Sequence, residues 1–311
     1  MSEKQQRGFD QAVHQMDVAA AWHPDDGLTP AQLSAGLTSN LVPLALYHSL
    51  ARPMDGTVVV HLHVAFPHGR IPNNFLNAAR CKSIVLLDRG TVVAAGDNWR
   101  GNCTRLARVA MLSALASVGS GWLSLGSYLS SFDVDGLPAL ARVGDHWLFA
   151  TRLGTFDSTA LQLTALTAVD SWWLSGGLNL TAFDAAGLTA LTSVGNDWVS
   201  ASRRLARFDA RGLVSLTSVG RKWLWHTPVL THFDAGALGA LASVGDDWLR
   251  RSTALQRFDG RGLAALATVG AGFLEDCTAL AVIDVDPSTP FAAADVVRAR
   301  SARLTRAAKL G

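Results

Sequence analysis

The sequence predicts an α/β repeat solenoid. Short parallel strands would line a concave face, and turns or short helical segments would return the chain on the convex side. Three observations carry this. Valines fall at Val118, Val143, Val169, Val194, Val219, Val244 and Val269, a period of about 25 residues and within the range of stacked repeats. An aromatic residue stands four places after each valine: Trp122, Trp147, Trp173, Trp198, Trp223, Trp248 and then Phe273. An Asp follows a Phe in most units, as in Phe183-Asp184, Phe208-Asp209 and Phe258-Asp259.

One unit reads L-x-x-F-D-x-x-G-L-x-x-L-x-x-V-G-x-x-W-L. From Leu255 to Asp259 the faces alternate. Leu255 and Phe258 point inward, Arg257 and Asp259 point outward, and a short strand fits. The V-G-x-x-W-L tail suits a tight turn followed by a single helical turn. A unit cannot bury its own apolar face, but stacked units can. Looser copies run from Ile71 to Asp88, with Phe75 in the aromatic place, and from Ala95 to Val109, with Trp99 there. The repeat also explains the ten tryptophans of a 311-residue chain.

The parts in this order resemble leucine-rich repeats of the BspA-like type. The frame is carried by Leu266, Val269-Gly270, Phe273-Leu274, Cys277 and Leu280. The resemblance covers residues 71–285, with about two extra residues after each strand and Trp where the family usually has a smaller residue. It implies a leucine-rich-repeat-like solenoid that binds proteins. It also brings in cell-surface adhesins as an alternative, since such repeats are often found in surface proteins.

The ends differ from the middle. Residues 1–70 lack the repeat. They hold a capped helix start (DDGLTPAQLSAGL) and a strand from Thr57 to Phe66, and they are expected to close the first end of the solenoid. Residues 286–311 read as an Ala-rich helix made basic by Arg298, Arg300, Arg303, Arg306 and Lys309, expected to cap the other end. The start, MSEKQQRGFDQ, has no apolar signal core, so the expected location is intracellular and cytoplasmic, with the cell surface as the other reading.

Composition narrows the function. The formal charge is only +2, which makes no electrostatic case for nucleic acid or a membrane surface. The uncharged stretch Val109–Phe132 is broken by Ser and Gly, so no membrane span is expected. Cys81, Cys103 and Cys277 are odd in number and match no metal spacing. His61 and His63 share a strand face but have no acidic or cysteine partner nearby. No metal and no cofactor are expected. No phosphate loop, nucleophile elbow or acid–base cluster is present, so the chain is not expected to be an enzyme.

Two columns are candidate sites. The Asp column includes Asp133, Asp184, Asp209 and Asp259, each three residues before a Gly, and is expected to cap the turn after the strand. The alternative is a cation site. The turns after Asp157 and Asp234 lack that spacing and are expected to be irregular. Two places before the Asp stand Arg207, His232 and Arg257 in consecutive units, a basic strip beside the acids. Trp225 and Trp172 lie outside the aromatic column and are candidates for exposed contacts, with Trp225 expected to bind together with the concave strip. The expected function is a non-enzymatic scaffold for a protein partner, bound through the concave strip or the solenoid ends. The other alternative is an effector whose activity lies in residues 1–70.

Overall fold

The computed structural model describes residues 54–61, 68–71, 73, 75, 81–88, 90–99, 106–110, 112–125, 129 and 136–287. The helix start near residue 25, Asp133 and the basic segment from 288 onward lie outside the described residues.

Each unit forms one coil with two short parallel strands. The valine column, expected to be a turn, is itself a sheet. Nine two-residue strands, from Arg70–Ile71 through Ser193–Val194 to Thr268–Val269, pair in sequence order and in parallel. Valine points in and its predecessor points out, because successive strand residues face opposite sides. Val194 and Val219 are buried while Ser193 and Ser218 are half-exposed. The Phe-Asp residues form three-residue strands in two sheets. One holds Thr155–Asp157, Ala182–Asp184 and Arg207–Asp209, and the other holds His232–Asp234, Arg257–Asp259 and Val282–Asp284. A further parallel sheet joins Met54–His61, Cys81–Leu87 and Leu106–Ala110.

The expected helical turn does not form. No helix occurs among the described residues, and so none long and apolar enough to cross a membrane. After each valine, residues three, five and seven places on adopt left-handed backbone. In one unit these are Asp197 (φ 59°), Val199 (φ 53°) and Ala201 (φ 54°), and in the next Lys222, Leu224 and His226. The reason is visible in the hydrogen bonds. Asp197 N–H donates to Arg221 O at 2.8 Å in the following rung, Val199 to Trp173 O at 2.9 Å in the preceding rung, and Ala201 to Trp225 O at 2.7 Å in the following rung. A helical turn would keep its donors within the segment. The left-handed alternation hands them to both neighbours, at a strain of about 1 kcal/mol per residue.

A side-chain ladder reinforces the stack. Two places after the valine, Asp145 Oδ1 accepts Ser171 N–H, Ser171 Oγ accepts Asn196 N–H, and Asn196 Oδ1 accepts Arg221 N–H, at 2.8, 3.1 and 3.0 Å. In most rungs the residue just before this place is glycine, which gives clearance, and in the Val169 rung it is Asp170. A Cβ on Gly220 would sit 2.7 Å from Asn196 N in the rung below.

The core is two aromatic columns set among leucines. Trp147, Trp173, Trp198, Trp223 and Trp248 are fully buried and stack with centroids 5.1 to 5.3 Å apart, nearly parallel. Phe156, Phe183, Phe208, Phe233 and Phe258 form the second column and meet the tryptophans edge-on, as Phe183 meets Trp198 at 5.6 Å and 81°. These are the two arrangements that aromatic quadrupoles favour. The indole N–H groups of these five tryptophans have no hydrogen-bond acceptor. A column of small residues packs beside them. Thr151, Ser202, Thr227, Ser252 and Cys277 are buried, and Ser202, Ser252 and Cys277 each donate to a Leu carbonyl one unit back.

Two outcomes follow for denaturation midpoints. Trp198→Ala should cost about 3–5 kcal/mol, whereas Trp198→Phe should cost a small part of that because it also removes a buried N–H left unpaired. Lys222→Gly should stabilise by about 0.5 kcal/mol and Lys222→Val should destabilise by about 1 kcal/mol, since only Gly takes φ near 61° without strain.

Candidate functional site

The Phe-Asp strands bring the outward residues of successive units into line. Ala182, Arg207 and Asp184, Asp209 sit at matched positions of one sheet, and His232, Arg257, Val282 and Asp234, Asp259, Asp284 at matched positions of the other. The pairing breaks between Arg207–Asp209 and His232–Asp234. At that seam Phe208 and Phe233 are 6.0 Å apart and tilted by 26°, whereas Phe183 and Phe208 are 5.0 Å apart and within 6°. The strip of Arg207, His232 and Arg257 therefore crosses a seam in the sheet.

The arginines of the strip engage neighbouring acids. Arg207 Nη2 donates to Asp209 Oδ2 at 2.8 Å, and Arg211 grips the same carboxylate through Nε and Nη2 at 2.7 to 3.0 Å. Arg257 Nη2 lies 2.6 Å from Asp284 Oδ2 and 3.8 Å from Asp259 Oδ2, and Arg261 pairs with Asp259 through Nε and Nη2. The arginine side chains remain exposed, 67% for Arg207 and 44% for Arg257, while Asp209 is 8% exposed. The middle rung carries no Arg. His232 Nδ1 lies 3.0 Å from Thr231 Oγ1, and Asp234 is exposed.

The Asp residues also hold their own turns. Asp184 Oδ1 accepts Ala186 N–H at 2.8 Å, and Asp209 Oδ1 and Asp259 Oδ1 accept Arg211 and Arg261 N–H, each at 3.2 Å. Asp133 lies outside the described residues. At Gly187, Gly212 and Gly262 the glycine three places on serves clearance and not the turn's dihedrals, whereas Gly136 is left-handed at φ 112°. A Cβ on Gly212 would sit 2.0 Å from Ala185 O in the preceding rung. The Asp234 turn, expected to be irregular, matches its neighbours, with Asp234 Oδ1 accepting Gly236 N–H at 2.8 Å. The Asp157 turn does differ. Asp157 Oδ1 accepts both Thr159 and Ala160 N–H, and Gln162 is left-handed. Asp88 falls outside the exposed column. Leu87, not Asp88, pairs opposite Ala110, and Asp88 is buried, accepting from Thr91 N, Thr91 Oγ1 and Val92 N.

Trp225 is half-buried on the return segment. Lys222 Nζ and Arg251 Cζ stand 5.5 and 5.8 Å from its ring centroid, within cation–π range. No hydrogen bond, ion pair or ring contact joins it to Arg207, His232 or Arg257. Trp172 is also half-buried and stacks on His146 at 5.7 Å, with Phe149 edge-on at 5.8 Å. No group of three or more His, Cys, Asp or Glu among the described residues is placed to hold a metal ion. Cys277 is buried, as its column requires.

The chain is thus a repeat protein, a parallel β-solenoid built of leucine-rich rungs. No family model matches it, and no curated protein matches it. Among solved structures it is similar to the functional domain of InlJ from Listeria monocytogenes, described as including a cysteine ladder. That match has a TM-score of 0.30 and 16% identity, and covers 66% of this chain and 53% of that one. It is also similar to a leucine rich cell surface protein from Faecalibacterium prausnitzii A2-165, at a TM-score of 0.15 and 12% identity over 76% of this chain and 90% of that one. The chain spans about half the length of the InlJ domain. Neither likeness bears on what this chain does.

The ion pairs give the fold an acid-sensitive component. Hydrogen bonds from Arg211, with a smaller opposing push from burial, hold the Asp209 carboxyl below its ordinary 3.8, and Arg261 does the same for Asp259. Such groups stabilise fully above the unfolded-state value and lose that contribution as pH falls through the depressed folded value. Urea midpoints should therefore fall as pH drops below about 4. The double variant Asp209→Asn, Asp259→Asn should be less stable at neutral pH and show a shallower fall in acid.

Proposed function

We propose that this chain is a non-enzymatic scaffold, of the BspA-like repeat type, that binds a protein partner across Arg207, His232 and Arg257. The observation that carries the reading is the middle rung. Arg207 and Arg257 are each tied to an acid, which fixes their positions while leaving the guanidinium groups exposed. Between them His232 and Asp234 are exposed and in no ion pair at the sheet seam. A rigid line of Arg207, His232 and Arg257 running beside a line of Asp209, Asp234 and Asp259 suits a partner segment that presents acids to the first line and basic groups to the second. Asp184, Asp209 and Asp259 serve as turn caps that hold this array, and Trp225 is a separate contact point on the return segment.

The test is affinity purification of the tagged full chain from its native cells, with bound proteins identified by mass spectrometry. The variant Arg207→Ser, His232→Ser, Arg257→Ser should lower the captured partner's affinity at least about tenfold, a loss of about 1.4 kcal/mol. Binding should also weaken with added salt. Unchanged capture by the variant would remove the strip from the binding surface.

A further inference from the structure

One face of the solenoid carries almost no charge. Between each Phe-Asp strand and the following valine strand, four residues per rung face outward. In one rung these are Thr189, Ala190, Thr192 and Ser193. Across seven rungs, from Ser113 to Thr268, the same places hold only Ala, Ser, Thr, Gly, Pro and Val, with the single exception of Arg142. All are exposed or half-exposed. Among the described residues the charge is concentrated on the other faces. The Phe-Asp side has Arg207, Arg211, Arg257 and Arg261, and the return side has Arg250 with Glu275.

This face is also less polar than its composition. Thr167, Thr192 and Thr217 Oγ1 donate to the carbonyl of the preceding rung at 3.0, 2.9 and 2.9 Å, and Ser215 Oγ donates to Thr189 O at 2.7 Å. With the hydroxyl proton used along the stack, the threonines offer methyl groups to solvent beside the Ala Cβ atoms. Val214, at the first of the four places in its rung, is 52% exposed. The underlying valine strands pair in register from rung to rung, so the surface is regular along the whole stack.

We propose that this uncharged face is a self-association surface, on which two copies of the chain pack antiparallel with their Thr189–Ser193 rungs at the centre. Size supports it. Seven rungs at about 4.8 Å, by about 15 Å across the four positions, give a footprint of about 500 Å² per copy and about 1,000 Å² for the pair, the lower limit of a specific interface. Small side chains lose little rotamer entropy on docking and let two sheets approach to the usual spacing of about 10 Å. Charge selects the partner and its direction. The face has no carboxylate and one cation, so a charged partner would find nothing to pair with, whereas a second copy is as uncharged as the first. Antiparallel packing sets Arg142 against Ser243 of the second copy and keeps the two arginines about four rungs apart, roughly 19 Å and beyond the screening length. This surface is distinct from the Arg207–His232–Arg257 strip and does not depend on it.

Sedimentation of the full chain over about 1–100 µM tests the proposal. The native chain should pass from monomer to dimer in that range. Thr192→Lys with Thr217→Lys should stay monomeric throughout while keeping its circular dichroism spectrum. Thr253→Lys, exposed on another side, should dimerise like the native chain. A native chain that is monomeric at the highest concentration, or a Thr192/Thr217 variant that still dimerises, would overturn it. Direction is read by oxidation in a Cys81→Ser, Cys103→Ser background. Thr192→Cys should give a covalent dimer, and Ala116→Cys should not, since position 116 then faces the Ala267 rung. Equal cross-linking at both positions would overturn the antiparallel arrangement.

Discussion

Everything in this fold depends on rung-to-rung hydrogen bonding at one fixed register. The valine strands, the Phe-Asp strands and the return segments all send their N–H groups to a neighbouring coil about 25 residues away. A length change in one unit must therefore be absorbed locally or the register of the whole stack is lost. The Asp157 unit shows how this is done. Its turn is longer than the others and is taken up by a left-handed Gln162 and a double hydrogen bond to Asp157 Oδ1, so that Val169 still pairs with Val143. The left-handed residues of the return segments have the same origin. In the Val194, Val219 and Val244 units each carries strain, and each gains a donor bond to a neighbouring rung.

The aromatic columns are the packing counterpart of that register. When identical units stack in register, identical side chains must meet themselves. Indole rings do this well because they can slide into parallel offset contact, and the phenylalanine column closes on them edge-first. The cost is five indole N–H groups left without acceptors, which the buried apolar area offsets. At the two ends of the column the aromatic place goes to Phe75 and Phe273, which carry no such group.

Charge is sorted by face. The Phe-Asp side carries arginines locked to acids of their own or the next rung, the return side carries a mixed set around Trp225 and Arg250, and the third side is nearly bare. A repeat makes such sorting easy, because one column in the sequence becomes one line on the surface. Where columns vary, as with Ala182, Arg207, His232 and Arg257, the surface becomes particular. Where they do not, the surface is either structural or suited to a partner as regular as itself.

The period, the inward columns of Leu, Val, Phe and Trp, and the matched places of His232 and Arg257 were determined by the sequence alone. Each is a statement of spacing, and in-register stacking turns spacing directly into position. The sequence also held the polar column two places after the valine, in Asp145, Ser171, Asn196 and Asp246, although its ladder of bonds is plain only once rungs are stacked. The tertiary structure decided the rest. Local pattern favoured a helical turn after the valine, since V-G-x-x-W-L has suitable residues for one, but donors needed by neighbouring rungs outweigh donors kept within a turn. The glycine after Asp209 looked like turn chemistry, yet its reason is the Ala185 carbonyl lying under it. The break between Asp209 and Asp234 depends on how whole coils sit on one another, which no single unit encodes.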